Sequence, residues 1–212
     1  MTGKTHISIG LMSSAAVLSV NNPTPENIAV GLAVGVLGAL MPDIDTSRSK
    51  VSYNLRKIVV YAALVIVGAY ILMANFYPEV EKTNLFLKNM GVYKLKDYIP
   101  YNLKLSNAGL LIIVGCIIFS KFTKHRSFSH SILGLILFTV GVKLLLGNIF
   151  IYFAVGFISH MVADTFTNSG IEVFYPIKKK ISLKLVHTGS MLDHFTGGLA
   201  FIVFLAIILK IK

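Results

Sequence analysis

Residues 148–165 read NIFIYFAVGFISHMVADT, an apolar run that ends in a histidine and an aspartate, His160 and Asp164. A helix perpendicular to a bilayer needs about 20 residues to cross the hydrocarbon core, with about 17 as the lower limit. The run is long enough, and only its last turns carry groups that lipid does not tolerate. Ionisable side chains near the hydrocarbon are costly and usually functional. On a helix, positions i and i+4 project from one face, so His160 and Asp164 can bind one cation together. The plainer alternative is a hydrogen-bonded pair at a helix end.

Six more apolar segments flank this one: 7–20, 27–41, 57–76, 107–120, 131–146 and 197–209. Segment 57–76 is a comfortable crossing. Segments 7–20, 27–41 and 107–120 are short, and span only by recruiting polar flanks or by packing as a partly submerged hairpin. Composition agrees with a chain dissolved in lipid. Of 212 residues, 55% are hydrophobic and 14% charged, against about 25% charged in a soluble domain. The fold expected is all-α, a polytopic helical membrane bundle of about seven apolar segments forming one integral membrane domain over 1–212. Cys116, the one cysteine, lies inside an apolar run; it has no intrachain disulfide partner and reads as a core side chain. The first apolar run ends in Val20-Asn21-Asn22-Pro23 with no small-x-small site, so it is not read as a cleaved signal peptide.

The net charge of +11 raises nucleic-acid binding, but no soluble basic domain is present to carry it, and no nucleic-acid partner is expected. The lysines and arginines instead flank the spans. With the N-terminus and Lys4 inside and seven crossings, the inside loops hold Arg48, Lys50, Arg56 and Lys57, then Lys121, Lys124 and Arg126, then Lys178, Lys179, Lys180 and Lys184. The outside receives 77–106, where five lysines are diluted by Glu79, Glu81 and Asp97, and, against the trend, Lys210 and Lys212. The short inside loops hold the denser basic clusters, as the positive-inside rule asks. Segment 77–106 also contains Tyr93, Tyr98 and Tyr101, which suits an extracytoplasmic loop at the interface. The expected location is a prokaryotic cytoplasmic membrane, with a cytoplasmic N-terminus.

This topology, set by Lys and Arg alone, gathers all six histidines on or within about two turns of the inner face, and four of the five aspartates with them. His6 opens the first segment. Met41-Pro42-Asp43-Ile44-Asp45 closes the second, with Pro42 helping to stop the helix; two carboxylates at that spacing can ligate or bridge metals, or form an Asp turn. His125-Arg126-Ser127-Phe128-Ser129-His130 places two imidazoles and a guanidinium in one loop. Imidazole suits zinc, iron and other transition metals, and Arg126 can bind a phosphate bidentately or serve as an inside anchor. His187 and His194 are weaker candidates, at least one of them expected to be merely solvated. A His/Asp ligand set without thiolates favours a catalytic or dinuclear site over a structural zinc site, which usually recruits cysteine.

The ordered series Thr5-His6 with Gly10, Pro42-Asp43-Ile44-Asp45, His125-Arg126 with His130-Ser131, His160, Asp164, Thr165 and Thr167 with Gly170 and Pro176, and Thr188-Gly189-Ser190 resembles the YdjM-like family of membrane-bound, metal-dependent hydrolases. The likeness runs from residue 5 to about 193. It implies metal ligands at His6, Asp43, Asp45, His125, His130, His160 and Asp164, with Arg126 and Asp193 in catalytic roles. The acid that follows the Thr-Gly-Ser element, usually Glu in the family, falls on Asp193, and Asn168 stands where Pro is common. A more distant likeness is to bacterial zinc-dependent phospholipases C, which also combine an early His, an Asp and an HxxxD helix; fold-level analogy does not fix function.

The function expected is therefore a metal-dependent hydrolase at the cytoplasmic membrane surface. Two or more divalent cations, zinc or else Mn or Fe, would activate water against a phosphodiester or ester of a phospholipid-like substrate. Two rivals stand beside it. A transporter binds its cargo near the bilayer midplane, where these segments lack ionisable residues, Lys143 lying near a span's outer end from which it can snorkel. A non-catalytic regulatory protein would hold a metal in a closed coordination shell.

Overall fold

The computed structural model describes residues 1–20, 23–45 and 103–211, and within 57–76 Ile58, Tyr61, Ala62, Val65, Gly68 and Ala69. Six helices organise them: α1 (Gly3–Val20), α2 (Pro25–Leu40), α3 (Leu103–Phe122), α4 (Ile132–Leu146), α5 (Phe150–Thr165) and α6 (Met191–Ile208). Among the described residues there is no strand, only two isolated bridges in the loop after α5, Thr167 with Val186 and Ile171 with Ile181. Six of the seven apolar segments thus coincide with helices. The six described residues of 57–76 are also helical; the rest of that segment lies outside the described residues.

Local chemistry sets the helix ends. Thr24 caps α2, its side chain accepting from the Asn27 N–H, and Pro25 takes the first position, where its missing N–H costs nothing. Pro42 then ends the regular helix, and Met41–Asp45 continues as a 3-10 turn. Ser131 caps α4 by accepting from Gly134 N, and Ser190 caps α6 by accepting from Asp193 N. Helix α6 begins six residues before the apolar segment expected there, so Asp193 and His194 stand in its first turn rather than in a loop. Helix α3 likewise begins inside the expected 77–106 loop, whose remainder falls outside the described residues.

Among the described residues, four stretches are long and apolar enough to cross a bilayer: Pro25–Ile44, Leu105–Phe122, Ile132–Thr165 and Met191–Ile208. The 34-residue stretch is not one rod. It breaks at Gly147, whose φ of +61° is a backbone state that glycine adopts without penalty, and α5 folds back on α4 with the Phe138 and Phe157 rings 5.8 Å apart. Helix α4, of 15 residues, is then only about 22 Å long.

Helix α1 packs on α6, α2 and α5; α2 crosses α5; α3 pairs with α4. The core holds Phe128, Phe138, Phe153 and Phe157, all fully buried, while Leu111, Ile118, Ile136, Val162 and Ile202 stay on the outside, where lipid would cover them. In such a bundle close packing replaces the hydrophobic drive. The α2–α5 crossing depends on it: a Cβ on Gly38 would run into the Phe153 carbonyl, and one on Gly156 into the Gly35 carbonyl. That approach is what brings the end of α2 against the end of α5.

Candidate metal centre

The site forms where α1 begins and where α2 and α5 end. The carbonyls of a helix's last turn lack intrahelical partners, and Ala39 lies in the last turn of α2. His160 fills the gap: its Nδ1 donates to the Ala39 oxygen at 2.7 Å. A carbonyl can only accept, so the neutral His160 ring carries its proton on Nδ1 and turns a bare Nε2 lone pair into the site. A ligating histidine is commonly oriented by a backbone carbonyl in just this way.

Around that lone pair stand the other groups. His130 Nε2 lies 3.2 Å from His160 Nε2, with Ser129 Oγ 3.0 Å from the far nitrogen, Nδ1. Asp43, on the 3-10 turn after α2, sets Oδ1 at 3.5 Å from His130 Nε2 and 3.9 Å from His160 Nε2. Asp164 Oδ2 is 3.7 Å from His130 Nε2 and 3.8 Å from His160 Nε2. The His6 ring stacks on that of His160, centroids 3.7 Å apart and planes within 16°, and its Nε2 is 3.2 Å from Asp164 Oδ1. His6, His130, His160 and Asp164 are at most 1% exposed and Asp43 is buried with them.

A divalent cation fits this donor set. The Nδ1 of His6 is buried without a hydrogen bond, a state that costs free energy unless something else satisfies it. The 3.2 Å between the His130 and His160 nitrogens matches the edge of a tetrahedral site with Zn–N bonds of about 2.0–2.1 Å, roughly 3.3 Å. Ligand atoms of His6, Asp43 and His160 form one group able to hold a metal, and those of His130, His160 and Asp164 a second, His160 belonging to both.

Asp164 is also the electrostatic hub. Arg126 Nη2 pairs with its Oδ2 at 3.0 Å, and the Met1 α-amino group touches its Oδ1. Arg126 Nη1 donates to Thr167 Oγ1 at 3.0 Å, and Thr167 Oγ1 donates to the Asp164 carbonyl at 2.8 Å. The Arg126 backbone has φ +65°, uncommon for a non-glycine residue, and its carbonyl accepts from the Glu172 N–H at 2.9 Å.

Five of the seven residues expected as ligands therefore come together: His6, Asp43, His130, His160 and Asp164. His125 is half-buried beside them, its ring perpendicular to that of His130 at 5.4 Å, and belongs to neither group. The side chain of Asp45 lies outside the described residues. Arg126 sits at the site as expected. Asp193 does not join either group: buried at the start of α6, it accepts from Thr2 N at 2.9 Å, Gly189 N at 2.8 Å and Thr5 Oγ1 at 2.7 Å. It clasps the start of α1, one residue from His6. His187 and His194 are exposed.

Sequence reasoning missed the supporting contacts. Thr167 was noted only as part of a motif, and the Ala39 carbonyl bears no side-chain signal at all. The one available clue was Pro42, which marks the end of α2 and so the turn whose carbonyls lack intrahelical partners.

No curated protein and no solved structure matches this chain. The family model of the YdjM inner membrane protein does match, over residues 1–211. A buried His/Asp cluster at the ends of apolar helices, in a chain matched almost end to end, makes this a member of the YdjM inner membrane protein family.

Proposed function

We propose that this membrane protein is a metal-dependent hydrolase. In this reading the chain crosses the membrane seven times with its N-terminus in the cytoplasm, the site opens at the cytoplasmic surface, and the substrate is a phosphodiester or ester of lipid-like character. The observation that carries it is the bare, shared Nε2 of His160, fixed by the Ala39 carbonyl and common to both ligand groups.

His6, Asp43, His130, His160 and Asp164 would hold two or more divalent cations, zinc by preference, since imidazole and carboxylate suit it. When bound, such cations would supply Lewis acidity, lowering the pKa of water toward about 7 and steadying developing charge on a phosphoryl or acyl centre. The chain's own groups do the rest. His160 keeps its proton on Nδ1 through Ala39. Arg126 offsets the Asp164 charge and holds the carboxylate directly, while Thr167 accepts from its other guanidinium nitrogen and so orients the guanidinium. Its guanidinium also sets positive charge beside the ligands, where an anionic headgroup would be drawn. Asp193 positions rather than reacts, holding α1 so that His6 stays stacked on His160.

The test is elemental analysis of the purified protein beside a screen of phospholipid hydrolysis. The wild type should carry a divalent metal and cleave a lipid ester or phosphodiester. The double variant His160→Ala/Asp164→Ala should lose both. Full metal occupancy in that variant would overturn the ligand assignment; a metal-loaded wild type inert toward every lipid ester and phosphodiester offered would overturn the substrate class.

A further inference from the structure

The loop between α5 and α6 carries a surface that the metal centre does not use. Its backbone is fixed. Ile171 and Ile181 exchange N–H···O bonds at 3.1 and 2.9 Å, Leu183 N donates to the Thr165 carbonyl at 2.8 Å, and Val186 N to Phe166 at 3.0 Å. Ile171 and Val186 are buried. On this rigid frame, however, Phe174, Ile177, Leu183 and Leu185 point outward, Ile177 at 64% and Leu185 at 62% exposure. Between them stand Lys178, Lys179, Lys180 and Lys184, all exposed. Residues 173–192 contain no Asp or Glu, and the acids on either side, Glu172 and Asp193, are buried. The surface therefore presents four positive charges and no exposed carboxylate.

Outward apolar side chains alternating with lysines are wrong for open water, where apolar surface is driven to bury. They are right for the headgroup layer of a bilayer, where rings and aliphatic chains reach the acyl boundary and ammonium groups stay with the phosphates. The chain's course agrees. The loop follows one apolar stretch, which ends at Thr165, and precedes another, which starts at Met191, so both of its ends sit at a membrane boundary. The first residues of α6, Met191, Leu192 and Phe195, are exposed as well and extend the apolar rim.

We propose that residues 171–187 form an interfacial hairpin that docks on anionic phospholipid headgroups. The lysines bind the phosphates and Phe174, Ile177, Leu183 and Leu185 insert among the upper acyl carbons. Clusters of four to eight basic residues beside a span bind anionic lipid, each lysine strengthening the attraction by about 5-fold. The inference stands on the loop alone and holds whatever chemistry the metal centre performs. Because the hairpin is tied to the site through Arg126, which bonds the Glu172 N–H by its carbonyl at 2.9 Å and Thr167 by its guanidinium, it also sets anionic lipid beside the metal centre.

The chain has no tryptophan, so one introduced indole reports alone. The Phe174→Trp and Leu185→Trp variants are reconstituted into nanodiscs, held by a tryptophan-free scaffold, of phosphatidylcholine with or without phosphatidylglycerol. In the anionic discs the emission should shift to the blue and be quenched by lipids brominated near the headgroup, and salt should weaken both effects. Changing Lys178, Lys179, Lys180 and Lys184 to Gln in the Phe174→Trp background should weaken the lipid-composition dependence by on the order of 100-fold or more in apparent lipid affinity. Unchanged metal content in the same sample would show that the site and fold persist. Emission typical of water in both disc types would overturn the proposal, as would docking on an acidic protein with no lipid quenching. A lysine variant that keeps the full dependence on phosphatidylglycerol would overturn the electrostatic half.

Discussion

At the scale of single residues, two aspartates of equal burial do different work. Asp164 is ringed by His6, Arg126, His130 and His160, whereas Asp193 receives two backbone N–H groups and a hydroxyl. Removing the Asp193 carboxylate takes the partner from three donors, the buried Thr5 hydroxyl and the partly buried Thr2 and Gly189 N–H groups, and each buried group left unsatisfied costs about 1–3 kcal/mol. Asp193→Ala should therefore destabilise the protein by about 2–4 kcal/mol in a thermal melt in detergent and lower metal affinity through a loosened His6. Asp193→Asn, which keeps one acceptor oxygen, should lose less of both. A catalytic acid would show the reverse pattern, full stability and full metal with activity gone from both variants. The sequence could place these residues at one membrane face but not tell ligand from clasp. His160 and Asp164 were legible because the i, i+4 spacing is a geometric fact of a helix. The role of Asp193 depends on Thr2 and Thr5, nearly the whole chain away, and no local pattern encodes that meeting.

Elements set the distances on which these contacts depend. The end of α2 reaches His160 only because Gly38 and Gly156 let two backbones nearly touch, Gly38 against the Phe153 carbonyl and Gly156 against the Gly35 carbonyl. A larger residue there forces the helices apart, and overpacking of this kind costs about 1–3 kcal/mol, occasionally more. Gly38→Val or Gly156→Val should lower the melting temperature and reduce metal content together, although neither residue is a ligand; a melt that drops while metal stays stoichiometric would separate the crossing from the site. Five of the helices could be read from apolar runs to within a few residues. The sixth, α6, begins earlier than its run because the polar residues Asp193 and His194 are carried into the first turn by the Ser190 cap. Apolar content marks where lipid is, while capping marks where a helix starts, and the two need not coincide.

For the whole molecule, the charge pattern makes a topological forecast. With Cys116 replaced by Ala, single cysteines placed at Lys124 and at Lys179 should react with a membrane-impermeant maleimide only after the cells are opened, and one at Lys94 should react in intact cells. Labelling of all three sites in intact cells would reverse or abolish the proposed orientation. Length and composition decided membership of a membrane class, and the ordered motifs decided the family. The division of Ile132–Thr165 was legible too: the apolar runs 131–146 and 148–165 read as two crossings, and the structure folds one back on the other at Gly147, where Phe138 meets Phe157.

The bond from His160 to the Ala39 carbonyl makes helix assembly and ion binding two faces of one equilibrium. Whatever binds the assembled ends of α2 and α5, and not the parted ones, stabilises the assembled state by mass action, by about 2.7 kcal/mol when its free concentration is 100 times its dissociation constant. The reverse must hold with equal size. Chelation should soften the crossing itself, so that backbone amides near Gly38 and Gly156, neither of them a coordinating residue, exchange their hydrogens faster in the stripped protein than in the loaded one.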